Sequence, residues 1–269
     1  MERGRRLAVN GVELEYVEDG SGVPVVFSHG GASDIRYWAP QQVVVAREYR
    51  FVAFSRRFHG DGRWPPEADA SPEVHAGDLI AIVTQLASGP VHMIGFSTAV
   101  ALNAATREPA LFRSLTVVEP NVPSLLTDDA VDRDVQRTWT SATARLRELH
   151  RSDPVRHAEA WFELANNQGP GTFARQPAAF REMWLANFGA KRSATMTPEP
   201  TCAALGTVNV PTLVIGTEHG MPYSRRIVER VAGCIPDART VILPSATHFA
   251  SYQAPSVFNE VLLAFLAEH

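Results

Sequence analysis

Six short apolar runs in this chain are continuous rather than alternating: residues 23–28, 51–55, 91–96, 115–118, 212–216 and 240–243, with Gly and Pro around them. A strand with one wet face alternates apolar and polar residues, whereas a strand covered on both faces has no reason to. Between the runs, residues 73–86, 100–106, 223–234 and 256–267 carry apolar residues at helical spacing. Strands that alternate with helices imply an α/β architecture, a mostly parallel sheet with helices on both faces joined by right-handed crossovers. Ahead of the first run, residues 7–9 and 12–17 do alternate, around Asn10-Gly11, and a second turn follows at Asp19-Gly20. That pattern predicts an antiparallel hairpin at one edge of the sheet.

One stretch breaks the rhythm. From about residue 127 to about residue 205 no strand is evident, only helix-like segments at 128–150, 154–166 and 177–187 punctuated by Gly169-Pro170-Gly171. This reads as an all-helical insertion between two core strands, which divides the chain into a core of residues 1–122 and 206–269 and a cap of residues 123–205. The 269-residue length accommodates one such domain with an insertion. At 45% hydrophobic and 20% charged residues the chain is neither disordered nor fibrous. Most of the insertion's aromatics, Trp139, Trp161, Phe173 and Phe180 among them, are expected to pack the insertion on itself, while the segment as a whole roofs a pocket.

The formal net charge of −4 comes without a run of basic residues, so neither nucleic acid nor an anionic membrane is expected as a partner. An uncharged or weakly polar small molecule fits better. The two cysteines, Cys202 and Cys234, have no metal-ligand spacing and imply no disulfide framework, so a reducing cytoplasm is the default location. No apolar stretch reaches the length of a bilayer span. Neither metal nor cofactor is called for, and a monomer or homodimer is expected.

The chemistry concentrates in three places. Gly95-Phe96-Ser97-Thr98-Ala99 lies directly between a strand and a helix. A serine at so tight a bend is pushed above the sheet edge, and small neighbours let strand and helix approach. It could instead simply cap the helix. Ser28-His29-Gly30-Gly31-Ala32 follows the first buried strand. A glycine-rich bend there can aim a backbone N–H at a carbonyl oxygen that becomes negative during acyl transfer, and Gly31 and Thr98 are the candidate N–H pair. Ser245-Ala246-Thr247-His248-Phe249 lies between the last strand and the last helix. Imidazole titrates in the range needed to take and return a serine's proton, which makes His248 the candidate base. His29 is read as a brace for the glycine-rich bend.

In their order along the chain, His29-Gly30-Gly31, Gly95-x-Ser97-x-Ala99, a helical insertion after the sixth strand and a late His248 resemble the α/β-hydrolase superfamily. The resemblance implies the fold and the Ser/His pair over essentially the whole chain, but no particular substrate. The sequence departs from the family in its acid. An aspartate usually follows the seventh strand, and the stretch Gly216-Thr217-Glu218-His219-Gly220 has none. Some branches, such as certain dehalogenases and zearalenone-type lactonases, place a glutamate after the sixth strand, and here Glu119 occupies that place. Glu119 is therefore assigned as the third member of the triad, with Glu218 as the alternative acid.

The resemblance further implies that a serine nucleophile attacks acyl carbonyls, where an aspartate nucleophile would attack an sp3 carbon. The arginines in Ser55-Arg56-Arg57-Phe58-His59-Gly60 read as solvated or structural rather than as carboxylate clamps. Trp38, Trp184 and Phe249 are candidates for the pocket wall, Trp38 equally for the core. The reading that emerges is a cytoplasmic, cofactor-independent serine hydrolase of an ester or lactone, with a bulky hydrophobic lactone favoured by analogy. Cleavage of a C–C bond in a β-diketone or dienone, and a non-hydrolytic binding or cyclase role, are its rivals.

Overall fold

A computed structural model describes residues 4–190 and 199–269. Eight strands, β1 (Arg5–Val9), β2 (Val12–Asp19), β3 (Pro24–Ser28), β4 (Arg50–Phe54), β5 (Val91–Phe96), β6 (Phe112–Val118), β7 (Thr212–Thr217) and β8 (Ala238–Leu243), form one sheet in the order β1-β2-β4-β3-β5-β6-β7-β8. The β1–β2 and β2–β4 pairs are antiparallel and the rest parallel. This is the α/β-hydrolase fold, with the alternating hairpin at the edge where its polar face meets solvent.

The continuous apolar runs are explained by the two cores they feed. In β5, Val91 and Met93 face a core built with α2 (Pro72–Leu86), α3 (Val100–Arg107) and α8 (Pro222–Cys234). Ile94 and Phe96 face the opposite core, with α1 (Ala39–Val45) and α10 (Pro255–Ala267). Successive side chains therefore need apolar surroundings on both sides. The helices start where the sequence caps them: the Ser71 hydroxyl accepts from Val74 N–H ahead of Pro72, and the Asp153 carboxylate from Arg156 N–H ahead of Pro154.

Between β6 and β7 the chain forms α4 (Ala130–Ser152), α5 (Pro154–Ala165) and α6 (Ala178–Phe188), then α7 (Cys202–Leu205). Buried Asn187 ties α6 to the rest of the molecule. Its amide donates to Asp34 Oδ2 at 2.7 Å and its oxygen accepts from Gly60 N–H at 2.9 Å. The short α9 (Ala250–Gln253) precedes α10.

The structure corrects one expectation. Cys202 and Cys234 form a disulfide, with Cα atoms 5.0 Å apart across 32 positions of sequence. The crossover through β7 and back along α8 brings the last residue of α8 against α7, a juxtaposition that spacing alone cannot reveal. A bonded pair removes the reason to expect a reducing compartment. Among the described residues no helix is long and apolar enough to cross a membrane.

Candidate active site

Parallel strands β5 and β6 each end in a sharp turn, and the turns carry Ser97 and Glu119. Both residues have positive φ, +52° and +46°. Such backbone is uncommon for a residue with a side chain and persists where the surroundings enforce it. Here the ladder does so: Ser97 N–H donates to Val118 O at 2.9 Å and Glu119 N–H to Ile215 O at 2.8 Å, extending each strand by one residue before the chain swings away. At Gly95 an added Cβ would lie 2.6 Å from the Ala101 Cβ, so only glycine lets β5 and α3 approach this closely.

His248 joins the two turns. Its Nε2 lies 2.9 Å from Ser97 Oγ and its Nδ1 3.1 Å from Glu119 Oε2. An ionised carboxylate only accepts, so Nδ1 carries the proton and Nε2 is left to accept from the serine hydroxyl. Glu119 is 1% exposed, and the Thr217 hydroxyl donates to its other oxygen at 3.1 Å. Gly220 makes room for that carboxylate. A Cβ there would lie 2.4 Å from Thr217 Oγ1 and 3.4 Å from Glu119 Oε2. Gly220 thus leaves room for the Thr217 hydroxyl and for the carboxylate it supports.

Glu218 is not brought to His248. Its half-exposed side chain turns toward the next loop, where it accepts from Ser245 N–H at 2.7 Å and so braces the turn leading to His248. His29 is fully buried. Its Nδ1 donates to Gly30 O at 2.7 Å and its Nε2 accepts from Arg56 N–H at 2.9 Å, which clamps the loop after β3 to the loop after β4. Burial, followed by the nearby Arg56 and His59, pushes its pKa well below the usual imidazole range and keeps the ring neutral. Gly31 and Thr98 both line the cavity that reaches Ser97. Neither N–H has an intramolecular acceptor among the described residues. Arg57 is structural, with its guanidinium on Asp78 at 2.5 and 2.9 Å.

The cavity measures about 460 Å³ and contains Ser97, Glu119 and His248 in its wall. Of the aromatics expected there, Trp184 and Phe249 take part. Trp38 does not. It is fully buried in the core, with ring centroids 5.0 Å from Phe27 and 6.5 Å from Phe258, because the short helical turn at Ile35–Trp38 packs it between the central strand β3 and α10. Trp139, Trp161, Phe188 and Tyr223 line the cavity without having been singled out for it, and so do Arg56, His59 and His75. Helical spacing marks such residues as buried without saying which buried space they face.

The sequence profile of the Alpha/beta hydrolase family matches residues 25–261, nearly the whole chain. The chain belongs to the alpha/beta hydrolase family. This hydrolase-family chain is 23% identical to 2-(acetamidomethylene)succinate hydrolase of Mesorhizobium japonicum, over 97% of its own length and 94% of the other. Among solved structures it is similar to a thermophilic esterase from Thermogutta terrifontis, with TM-score 0.77, 21% identity and 98% of both chains covered. It is also similar to the enol-lactonase from Burkholderia xenovorans LB400, with TM-score 0.69, 21% identity, and 98% of this chain and 100% of that one covered. At such identities the likeness speaks for the fold; the chemistry has to be argued from the site.

Proposed function

We propose that this alpha/beta hydrolase is a serine hydrolase of carboxylic esters or lactones that works through an acyl-enzyme, with helices α4–α6 as its cap. The observation that carries this reading is the unbroken run from Ser97 Oγ through the His248 ring to the Glu119 carboxylate, at 2.9 and 3.1 Å, in the wall of a cavity large enough for a small organic substrate.

In the first step Ser97 Oγ bonds to the substrate carbonyl carbon while its proton passes to His248 Nε2. Glu119 holds the ring in the tautomer that can accept and stabilises the imidazolium formed. The carbonyl oxygen gains negative charge between the N–H groups of Gly31 and Thr98, the second of which opens the turn into α3. Collapse breaks the bond to the alkoxy oxygen, which leaves with the proton from His248. A water then gives its proton to His248 and attacks the acyl carbon, releasing the acid and returning the proton to Ser97. In a lactone the alcohol and the acid stay in one molecule, and the product differs from the substrate by one water.

A fluorophosphonate probe tests the nucleophile, and a panel of short-chain p-nitrophenyl esters and lactones tests the reaction. The expected result is stoichiometric labelling and turnover in the wild type, with both lost in Ser97→Ala. A folded wild-type protein that takes no label would sink the proposal.

A further inference from the structure

His248 stands on a stretch that its own backbone does little to fix. Ala246 O accepts from His219 N–H, and Phe249 O from the N–H groups of Tyr252 and Gln253. Among the described residues neither Thr247 nor His248 makes a backbone hydrogen bond. The place of such a stretch is set by what its side chains touch.

The residues on either side of His248 both reach the cap. Phe249 is 2% exposed and meets Phe162 of α5, stacked at 5.1 Å between ring centroids, and Trp184 and Phe180 of α6, edge-on at 5.4 and 5.6 Å. Phe249 in turn stands edge-on to the imidazole at 4.9 Å, and Phe96 of β5 lies 5.0 Å from the imidazole and 5.6 Å from Phe249. Phe180, expected to pack the insertion on itself, therefore also packs against the neighbour of His248. On the other side, the Thr247 hydroxyl donates to Gln253 Oε1 at 2.6 Å, Gln253 Nε2 to Gln176 Oε1 at 3.0 Å, and Gln176 Nε2 to Thr172 O at 3.2 Å. Thr172 and Gln176 belong to the segment that joins α5 to α6, so this chain of hydrogen bonds runs in one direction from beside the histidine into the cap.

The helices α5 and α6 bear on Phe249 as one piece, because Trp184 Nε1 donates to Ala158 O at 2.8 Å. The first cap helix is held elsewhere. Asp132 of α4 accepts from Arg226 and Arg230 of α8, at 2.5 and 3.0 Å from their Nε atoms, and Trp139 of α4 stacks on Tyr223 of α8 at 4.7 Å.

We propose that the α5–α6 half of the cap positions His248, holding its ring between Ser97 and Glu119 through Phe249 on one side and through Thr247, Gln253 and Gln176 on the other. Phe162, Phe180, Gln176 and Gln253 are then positioning residues of the reaction. None of the four lies in the cavity wall, so none acts by touching the substrate. The contacts that seat this half of the cap over the cavity are the ones that complete the base. This rests on the serine hydrolase reading for the reaction, although not for the placement of the ring.

The test loosens the seat with Phe162→Leu and, outside the aromatic cluster, with Gln253→Leu. His248 serves both the formation and the hydrolysis of the acyl-enzyme, so a misplaced ring slows both steps and leaves KM where it was. With p-nitrophenyl butyrate, Phe162→Leu is expected to lower kcat by about ten- to a hundredfold and Gln253→Leu by about three- to tenfold, each with KM within about twofold of wild type. Fluorophosphonate labelling needs the same base and slows by the same factor. Phe258→Leu is the control for a lost ring. Phe258 is fully buried in the same core, against Trp38 rather than Phe249, and its loss should leave kcat within about twofold. Nitrogen-15 NMR of the histidine rings, with the His248 signals identified by their loss in His248→Ala, should show the Nδ1–H tautomer in the wild type and a mixture of tautomers in Phe162→Leu and Gln253→Leu.

A folded Phe162→Leu that keeps kcat within about twofold, or loses no more than Phe258→Leu does, overturns the proposal. A loss of kcat/KM carried by KM alone does so too. Circular dichroism establishes folding, and if Phe162→Leu does not fold, Gln253→Leu decides by the same criteria. If the wild type takes no label and turns over no ester, the hydrolase reading has failed and the NMR comparison decides alone: a mixture of tautomers in the variants supports the positioning role, and an unchanged tautomer overturns it.

Discussion

Two neighbouring turns each offer a glutamate to the same histidine. The turn after β6 holds Glu119 at 1% exposure, 3.1 Å from His248, with its second oxygen on Thr217. The turn after β7 holds Glu218 with half of its side chain in solvent, accepting a backbone N–H at Ser245. The strands are adjacent, with Val118 at the end of β6 beside Ile215, and β7 runs two residues further to Thr217. What separates the glutamates is where their turns send them. Each keeps one ladder bond, Glu119 N–H to Ile215 O and Glu218 N–H to Leu243 O, but only Glu119 is in left-handed backbone, and it swings inward under the imidazole while Glu218 points out. The acid of such a relay is a place in space beside the ring, and either strand could supply it. The space at Gly220 and the hydroxyl of Thr217 hold that place open for the longer side chain that reaches across from β6.

The largest effect that could break this contrast is at Glu119 itself. Under the proposed mechanism Glu119→Gln keeps the shape but can present an amide N–H to His248 and favour the wrong tautomer, so kcat/KM should fall by about 10³- to 10⁴-fold. Glu218→Gln keeps an oxygen for Ser245 N–H and should stay within about twofold, as a surface change usually does. Steady-state kinetics on the two purified variants decides between them. The reverse ranking would assign the acid to the turn after β7.

Smaller effects sharpen the role of the vacated place. Gly220 has an ordinary φ, so Gly220→Ala asks only about volume. The new methyl collides with Thr217 Oγ1 and presses on Glu119, and kcat should fall by roughly ten- to a hundredfold, in line with the cost of overpacking a tight site. Adding Thr217→Ala relieves the collision and should recover part of the loss, a non-additivity that a double-mutant cycle reads directly. Thr217→Val alone removes one hydrogen bond to a buried carboxylate while nearly keeping the shape. A bond to a charged group is worth about 1.5–3 kcal/mol, so a loss of about ten- to a hundredfold is the ceiling, and only the part felt in the transition state appears in kcat. If Thr217→Val leaves the kinetics untouched while Gly220→Ala does not, steric room rather than the hydroxyl sets Glu119.

The same contrast shows what could be read from the sequence. Six strands were legible from their continuous apolar runs and the two of the edge hairpin from the alternation of residues 7–9 and 12–17. The places of Ser97, Glu119 and His248 at strand ends were legible because each directly follows a strand or lies between strand and helix, where the local pattern locates the chain; that the three meet is what the structure adds. Side-chain direction over longer distances was not. Trp38 lies a few residues beyond the glycine-rich bend, yet one short helical turn aims it into the core. Arg56 and His75 meet in the cavity from separate elements, and neither has a local pattern that says so. Cys202 and Cys234 meet only through the β7–α8 crossover.

The disulfide supplies the smallest expected effect on activity and the cleanest control. It fastens the far end of α8 to α7, while the near end of α8 leaves the turn that contains Gly220. Cys202→Ser opens a loop of 32 positions, which in the chain-entropy picture removes roughly 3–4 kcal/mol of stability as an upper value. Chemical denaturation should register that loss as a lower midpoint with a somewhat steeper slope, because the chain without the cross-link exposes more surface when it unfolds. Yet Glu119, His248 and Ser97 are held by the ends of β5 and β6 and by the loop after β8, none of which the disulfide touches. At a temperature where the variant remains folded, kcat/KM should therefore stay within about twofold of wild type. A fall comparable to that of Gly220→Ala, with the fold intact, would mean that α8 transmits its position to the turn after β7 and that this turn positions the acid more than the turn after β6 does.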